Sequence, residues 1–126
     1  MDKQTRKNLD IIQKGYTEET RDLDFTVELS TGRDFIKAVE IVDSYNEFDS
    51  ELIKEQYKKH LLPLDGKLIY QFGRENSPIL YITFTGTDAE WFEAKGEIEK
   101  FADYSLANEI THGGRYGART YRIWWD

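Results

Sequence analysis

Two groups of residues in this 126-residue chain have the types and spacing that binding or catalysis needs. The first is an acidic stretch from Glu18 to Glu55, which holds twelve Asp or Glu against four Lys or Arg. The formal net charge of the whole chain is −7, so the residues outside this stretch are close to neutral. Charge distributed in this way bears on binding partners rather than on the fold.

Within this stretch, five carboxylates fall on neighbouring helical positions if residues 33–46 and 50–61 are helices: Glu40, Asp43, Glu47, Glu51 and Glu55. Like charges one helical turn apart repel by a few tenths of a kcal/mol per pair, roughly, and few bases lie near enough in sequence to relieve them. Such a surface suits docking onto a basic protein. The alternatives are a solvated surface that keeps the chain soluble, and a divalent-cation site. The candidate residues for the cation site are Asp22 and Asp24, but the segment that contains them lacks the glycine and the final glutamate of an EF-hand loop.

The second group lies in the C-terminal segment, THGGRYGARTYRIWWD. Its glycines let backbone amides approach an anion closely, and arginine supplies a guanidinium that binds phosphate. No helix is predicted directly after this loop, whereas a helix follows the glycine-rich loop in P-loop and dinucleotide-binding motifs, so the segment matches neither motif. If the protein is an enzyme, we expect His112 to act as the acid or base while Arg115 and Arg119 hold an anion, in phosphoryl or phosphodiester chemistry. A glycine-rich turn before an edge strand is the simpler alternative.

The final strand of this segment predicts a further contact surface. Alternation along a strand would bury one tryptophan and leave Arg122 and Trp124 together on the opposite face. An exposed aromatic residue beside arginine is typical of protein interfaces and of sheets on which nucleic-acid bases stack. Packing of both side chains on the sheet is the alternative. A strand at a sheet edge would also allow pairing with a second copy of the chain.

Composition excludes several classes of protein. With no cysteine and two histidines, the chain has no disulfide framework and no cysteine nucleophile, and we expect no metal and no cofactor. It contains no serine-hydrolase, zinc-protease or kinase motif. The N-terminal segment lacks the apolar region of a signal peptide and no long apolar run is present, which predicts a cytoplasmic protein without a membrane span. The net negative charge disfavours direct binding to nucleic acid.

Hydrophobic periodicity predicts the elements that must position these groups. Residues 1–15 are predicted as a helix, residues 23–30 as a half-buried strand, and residues 33–46 favour a helix over the return strand of a hairpin. A further helix is predicted over residues 50–61, with Ser50 as its N-terminal cap.

The second half of the chain predicts a hairpin, a helix and a last strand. Strands over residues 67–72 and 78–84 flank the turn-forming segment GRENS. A threonine and a glutamate three residues apart form a capping box, which opens a helix expected from Thr87 to Asn108. The strand over residues 119–125 then ends the chain.

These elements predict an α+β protein with one domain over residues 1–126. We expect a single antiparallel sheet of four strands, or of five if residues 33–46 form a strand, with the helices on one face. With the first helix set aside, the βαββαβ order matches a ferredoxin-like split βαβ sandwich.

The sequence favours a small, acidic, non-enzymatic protein-binding module. We expect it to act as an inhibitor or immunity-type protein that docks on a basic, nucleic-acid-handling partner and places carboxylates where phosphates would lie. The expected contacts are the five carboxylates together with Arg122 and Trp124. The alternative is a ligand-binding or phosphoryl-transfer domain built on the Gly-Gly-Arg loop.

Overall fold

The computed structural model of this chain describes residues 2–17 and 24–126. Its main elements, in chain order, are α1 (Lys3–Thr17), β1 (Phe25–Leu29), α2 (Gly32–Val42), β2 (Ser44–Tyr45), β3 (Phe48–Asp49), α3 (Ser50–Gln56), β4 (Leu68–Glu75), β5 (Ser77–Phe84), α4 (Asp88–Tyr104), β6 (Glu109–His112) and β7 (Thr120–Trp124). A π-helical turn, Tyr57–Leu61, and a 3-10 turn, Leu62–Leu64, continue α3. A second 3-10 turn, Gly114–Tyr116, precedes β7. The predicted α+β class is confirmed.

Five strands form the main sheet in the order β1-β4-β5-β7-β6, and each neighbouring pair is antiparallel. The ferredoxin-like order is not confirmed. A split βαβ unit places another strand between the two strands that a helix connects, whereas here β1 and β4, joined through α2 and α3, lie side by side. The β2–β3 pair forms a separate two-stranded hairpin between α2 and α3.

The fifth strand of the sheet, β6, comes from a segment that the sequence did not predict as a strand. The last helix was expected to reach Asn108, but α4 ends at Tyr104. Leu106 has a φ of +64°, its amide donates to the carbonyl of Asp103, and the amide of Ala107 donates to the carbonyl of Ala102. This is a Schellman motif, which usually has glycine at the left-handed position. Because leucine occupies that position here, the helix end has no signal in the sequence.

The helical prediction for residues 33–46 is confirmed over Gly32–Val42, after which the chain turns into the β2–β3 hairpin. The N-terminal cap predicted for the next helix is wrong. The side chain of Asp49 accepts the backbone N–H groups of Glu51 and Leu52, while Ser50 is already the first residue of α3. Aspartate caps a helix as well as serine does, so the two neighbouring residues compete for this position.

All four helices contribute to one hydrophobic core on one face of the sheet. Aromatic rings fill much of it: Phe35 of α2 stacks on Tyr70 of β4 at 5.2 Å between ring centres. Tyr16 of α1 donates its hydroxyl to the carbonyl of Gly73 at 2.6 Å, which ties α1 to the sheet. Burial raises the pKa of Tyr16 well above its ordinary value. The helices are therefore fixed to the sheet by packing and by specific polar contacts.

Two glycines predict opposite results for the same substitution. A Cβ at Gly73 would lie 1.9 Å from the backbone oxygen of Phe25 on β1, so two paired strands would have to separate. A Cβ at Gly96 in α4 would meet no atom within 4 Å outside its own helix backbone. We expect Gly73→Ala to lower the free energy of unfolding by about 2–3 kcal/mol, and Gly96→Ala to raise it by about 0.5–1 kcal/mol. Urea unfolding measures both, and a change of the same sign in both variants would contradict this account.

A histidine–carboxylate pair joins the π-helical turn to α4 and makes stability depend on pH. His60 donates from Nδ1 to Glu97 at 2.7 Å, and this bond lowers the pKa of Glu97 below its ordinary value. The stabilisation is therefore complete above the unfolded-state pKa and is lost as the pH falls through the lower, folded-state pKa. When the pH is lowered from about 6 to about 3, we expect the free energy of unfolding to fall further in the native protein than in the Glu97→Gln variant. The difference between the two losses should be less than about 1 kcal/mol. Urea unfolding at both pH values tests this; identical pH dependence would refute it.

Candidate partner-binding surface

The β2–β3 hairpin links the end of α2 to the start of α3. Asp43 leaves α2 with a φ of +62° and turns the chain away from the helix axis. The backbone amide of Ser50 donates to the carbonyl of Asp43 at 2.9 Å, and its hydroxyl donates to the Asp43 carboxylate at 3.2 Å. Asp49 caps α3 on the other side. These bonds hold two carboxylates at fixed positions beside the ends of two helices.

The last residue of the described chain lies against the hairpin turn. The amide of Glu47 donates to the backbone oxygen of Asp126 at 2.7 Å. Four exposed acids thus surround the hairpin, and we call them the acidic hairpin surface: Asp43, Glu47, Asp49 and Asp126. Within residues 2–17 and 24–126, no lysine or arginine forms an ion pair with any of them. Their charge is therefore available to a partner.

The remaining predicted carboxylates have a different environment. Glu51 pairs with Lys54 at 3.1 Å, and Glu55 pairs with Lys59 at 3.2 Å. The expectation that few bases lie near enough to relieve the charge is therefore wrong for these two, because the lysines sit one turn further along the same helical segment. Glu40 is exposed on α2 and adds to the negative potential at Lys54, whose pKa is raised first of all by its bond with Glu51. These three acids flank the acidic hairpin surface.

Among the residues that the structure describes, no group of three or more His, Asp or Glu is arranged to hold a metal ion. Asp22, one of the two residues considered for such a site in the sequence, lies outside the described residues. Asp24 accepts the backbone N–H of Asn76 at 3.0 Å and so stabilises the β4–β5 turn.

Arg122 and Trp124 lie together on the sheet face opposite the helices, as the alternation predicted. Arg122 bonds to Glu75 and to Glu109, each at 3.0 Å, and its side chain is only 14% exposed. Tyr81 donates to the same Glu75 carboxylate at 2.5 Å, and the indole N–H of Trp124 donates to the backbone oxygen of Glu75 at 2.8 Å. Burial opposes the charge on Arg122, but the two carboxylates outweigh it and raise the pKa of the guanidinium. Both predicted contact residues are thus engaged within the protein.

The final strand is not a sheet edge. β7 pairs with β5 on one side and with β6 on the other. The prediction that a second copy could pair with this strand is therefore wrong, because the unpredicted β6 occupies the position that a second copy would need. The edges of the main sheet are β1 and β6.

The glycine-rich loop folds over the helix-free face of the sheet. Tyr116 packs on Tyr81 at 5.8 Å between ring centres, and the guanidinium of Arg115 lies 4.9 Å from the Tyr116 ring while donating to its hydroxyl. The amides of Tyr116 and Gly117 donate to carbonyls of the loop itself, Gly113 and Gly114. These amides are therefore satisfied internally rather than pointed at a bound anion.

His112 and Arg119 occupy other surroundings. His112 stacks on Tyr121 at 4.7 Å, donates from Nε2 to the carbonyl of Ala118, and lines a groove of about 620 Å³ between α4 and β6. Arg119 donates to the carbonyl of Gly86 and forms an ion pair with Asp88 at the start of α4. In the described part of the chain, no contact joins either residue to Arg115. The three residues predicted for catalysis are not assembled into one constellation.

Comparisons with protein-family models, with curated proteins and with solved structures gave no match. Among the described residues, no helix combines the length and the apolar character needed to cross a bilayer. Functional inference for this chain therefore rests on the geometry and charge of its own surfaces.

The Glu75 network predicts unequal effects for two neighbouring carboxylates that bind the same arginine. Glu75→Gln leaves the weakly exposed Arg122 with a single charged partner, so we expect a loss of about 1–2 kcal/mol in the free energy of unfolding. Glu109 is 57% exposed, and Glu109→Gln should cost less than about 0.5 kcal/mol. Urea unfolding followed by tryptophan fluorescence measures both variants. Equal losses would show that Glu75 has no special role.

Proposed function

We propose that this protein is a small, acidic, protein-binding module that docks on a basic partner through the acidic hairpin surface. Glu40 is exposed beside that surface and adds to its negative potential, whereas Glu51 and Glu55 flank it with their charges paired to lysines. The single observation that supports the proposal most strongly is the contrast between these groups. Glu51 and Glu55 pair with lysines of their own helical segment, whereas the four acids at the hairpin have no ion pair within the described residues.

The hairpin is also anchored, which favours binding with little loss of conformational entropy. Phe48 on β3 is fully buried and packs edge-to-face on Trp125 at 5.2 Å between ring centres. Tyr45 on β2 packs against Tyr16 and accepts a hydrogen bond from Arg74 at 2.9 Å. The carboxylates are thus presented on backbone that the core holds in place, and a partner would not have to order them.

The partner class follows from the sign and the placement of the charge. Exposed carboxylates attract lysine and arginine and speed association. A nucleic-acid-handling protein has a surface rich in lysine and arginine where it binds the phosphates of its substrate. Carboxylates that occupied this surface would exclude the substrate. We infer an inhibitor or immunity-type role on this ground. Direct binding to nucleic acid is disfavoured, because the same carboxylates repel phosphate.

The experiment compares two variants with the same change in net charge. The hairpin variant combines Asp43→Asn with Glu47→Gln, and the control combines Glu93→Gln with Asp103→Asn on α4. Each native and variant protein is immobilised, exposed to a native lysate, and eluted with stepped salt. We expect the amount of a basic partner captured by the hairpin variant to be lower than the native amount by about tenfold or more. The control should capture the native amount. The partner should elute at moderate salt.

The captured partner is then purified and its affinity for each variant is measured by calorimetry. Equal weakening in both variants would show that only net charge matters, and unchanged binding in the hairpin variant would refute this docking surface. A rise in Tm with added phosphate that is lost in Arg115→Ala would instead favour the ligand-binding function predicted from the glycine-rich loop.

A further inference from the structure

A groove of about 390 Å³ lies between α2 and the segment formed by α3 and its π-helical continuation. Apolar and aromatic side chains line its floor: Ile36, Tyr57 and Leu62. Leu62 is 48% exposed, so it offers apolar surface to a ligand in the groove. The groove is separate from the acidic hairpin surface, because it lies toward the opposite ends of the two helices.

The walls of this groove are positive in a protein whose net charge is negative. Arg33 and Lys37 are one turn apart on α2, and Lys54 and Lys58 are one turn apart on the facing segment. Within the described residues, Lys54 has an ion pair, with Glu51, while the other three cations have none. Cations of this kind can lay their alkyl stems on apolar surface and hold the charge at the rim.

Two carboxylates also border the groove and offset part of this positive charge. Asp65 accepts the hydroxyl of Tyr57 at 2.7 Å and that of Tyr70 at 3.3 Å, which holds its exposed carboxylate in position but leaves its charge in place. Glu40 is exposed at the end nearer the hairpin. Among the described residues, the unpaired Arg33, Lys37 and Lys58 outnumber these two carboxylates, so the rim keeps a small excess of positive charge over an apolar floor.

The Tyr57–Asp65 pair of the groove lining makes a close contact with the first residue of α2, a glycine. A Cβ at Gly32, the first residue of α2, would lie 2.2 Å from the Tyr57 hydroxyl and 2.6 Å from the Asp65 carboxylate. Glycine thus allows the Tyr57–Asp65 pair to rest against the first turn of α2.

We propose that this groove binds a small amphipathic anion, with an apolar body of about ten carbon atoms and one carboxylate or sulfonate. The unpaired cations on both walls favour a ligand with an anionic group, because opposite charges attract. The apolar floor favours a ligand whose remaining part is apolar. The size decides against a docked helix. The volume lies at the low end of small-molecule sites, and each wall offers cations over a single turn, whereas a helix in a groove uses anchors over two turns or more.

The proposal is tested with a defined pair of probes, 2-naphthoate and its neutral analogue 2-naphthamide. Titrations of ¹⁵N-labelled protein are followed by NMR at pH 7. We expect naphthoate to shift amide signals of residues 33–40 and 54–62 with a dissociation constant below about 1 mM. The amide should bind at least about fivefold more weakly, because it has the same shape but lacks the charge.

Variants separate the contribution of charge from that of the apolar floor. Lys37→Met with Lys58→Met keeps the side-chain length and should lower naphthoate affinity about tenfold or more while leaving naphthamide binding unchanged. The control, Lys95→Met with Lys100→Met on α4, removes the same net charge and should leave both affinities unchanged. Leu62→Asp should abolish binding of both probes, and its folded state is checked by the dispersion of its amide spectrum.

Three results would overturn the proposal: no shift in the groove signals, equal affinity for the two probes, or equal weakening in the groove variant and the α4 control. None of these results bears on the acidic hairpin surface, since no substitution at the hairpin is used. The outcome is therefore independent of the proposed function.

Discussion

The burial of Trp125 fixes three parts of the chain that are distant in sequence. Its ring is fully buried between Phe48 of the hairpin and Phe101 of α4, and its indole N–H donates to the carbonyl of Ser105 at 2.9 Å. Its backbone amide donates to the carbonyl of Pro78 in β5. Loss of a buried ring of this size costs about 3–5 kcal/mol in other proteins. The hairpin, the end of α4 and the sheet would all lose a support if this ring were removed.

The position of each acidic residue in the fold decides whether its charge is paired. Glu75 at the end of β4 binds Arg122 of β7 and Tyr81 of β5, the strand that lies between β4 and β7. Glu90 reaches Lys67 and the cap of α4, and these bonds lower its pKa to about 2. At the hairpin, the nearby cations are Arg74, which bonds to the Tyr45 hydroxyl, and Lys54, which pairs with Glu51, and among the described residues neither forms an ion pair with the acids of the hairpin. Charge therefore remains unpaired there because of where the fold places the hairpin, and not because the sequence lacks bases.

Local patterns predicted much of the secondary structure, and contacts between distant segments decided the rest. Periodicity located α2 and the four predicted strands, and the capping box located the start of α4. The pairs of Glu51 with Lys54 and of Glu55 with Lys59 follow from helical spacing and were available in the sequence. The bond between Glu75 and Arg122 spans 47 positions and depends on the strand register. The approach of Asp126 to Glu47 depends on the path of the whole chain. The left-handed Leu106, which frees β6 from the helix, has no local signal.

The helix pair α2–α3 carries opposite charge at its two ends: the acids of the hairpin at one end and the cations of the groove at the other. Such a pair is an electric dipole fixed in the molecular frame. In the field of a positively charged surface, this separation of charge contributes to the dipole of the whole molecule and favours turning the hairpin toward that surface before any contact forms. The cations of the groove lie at the far end of the helix pair in that orientation. The protein would therefore approach such a surface already oriented. The groove between the two helices would still be open to small molecules.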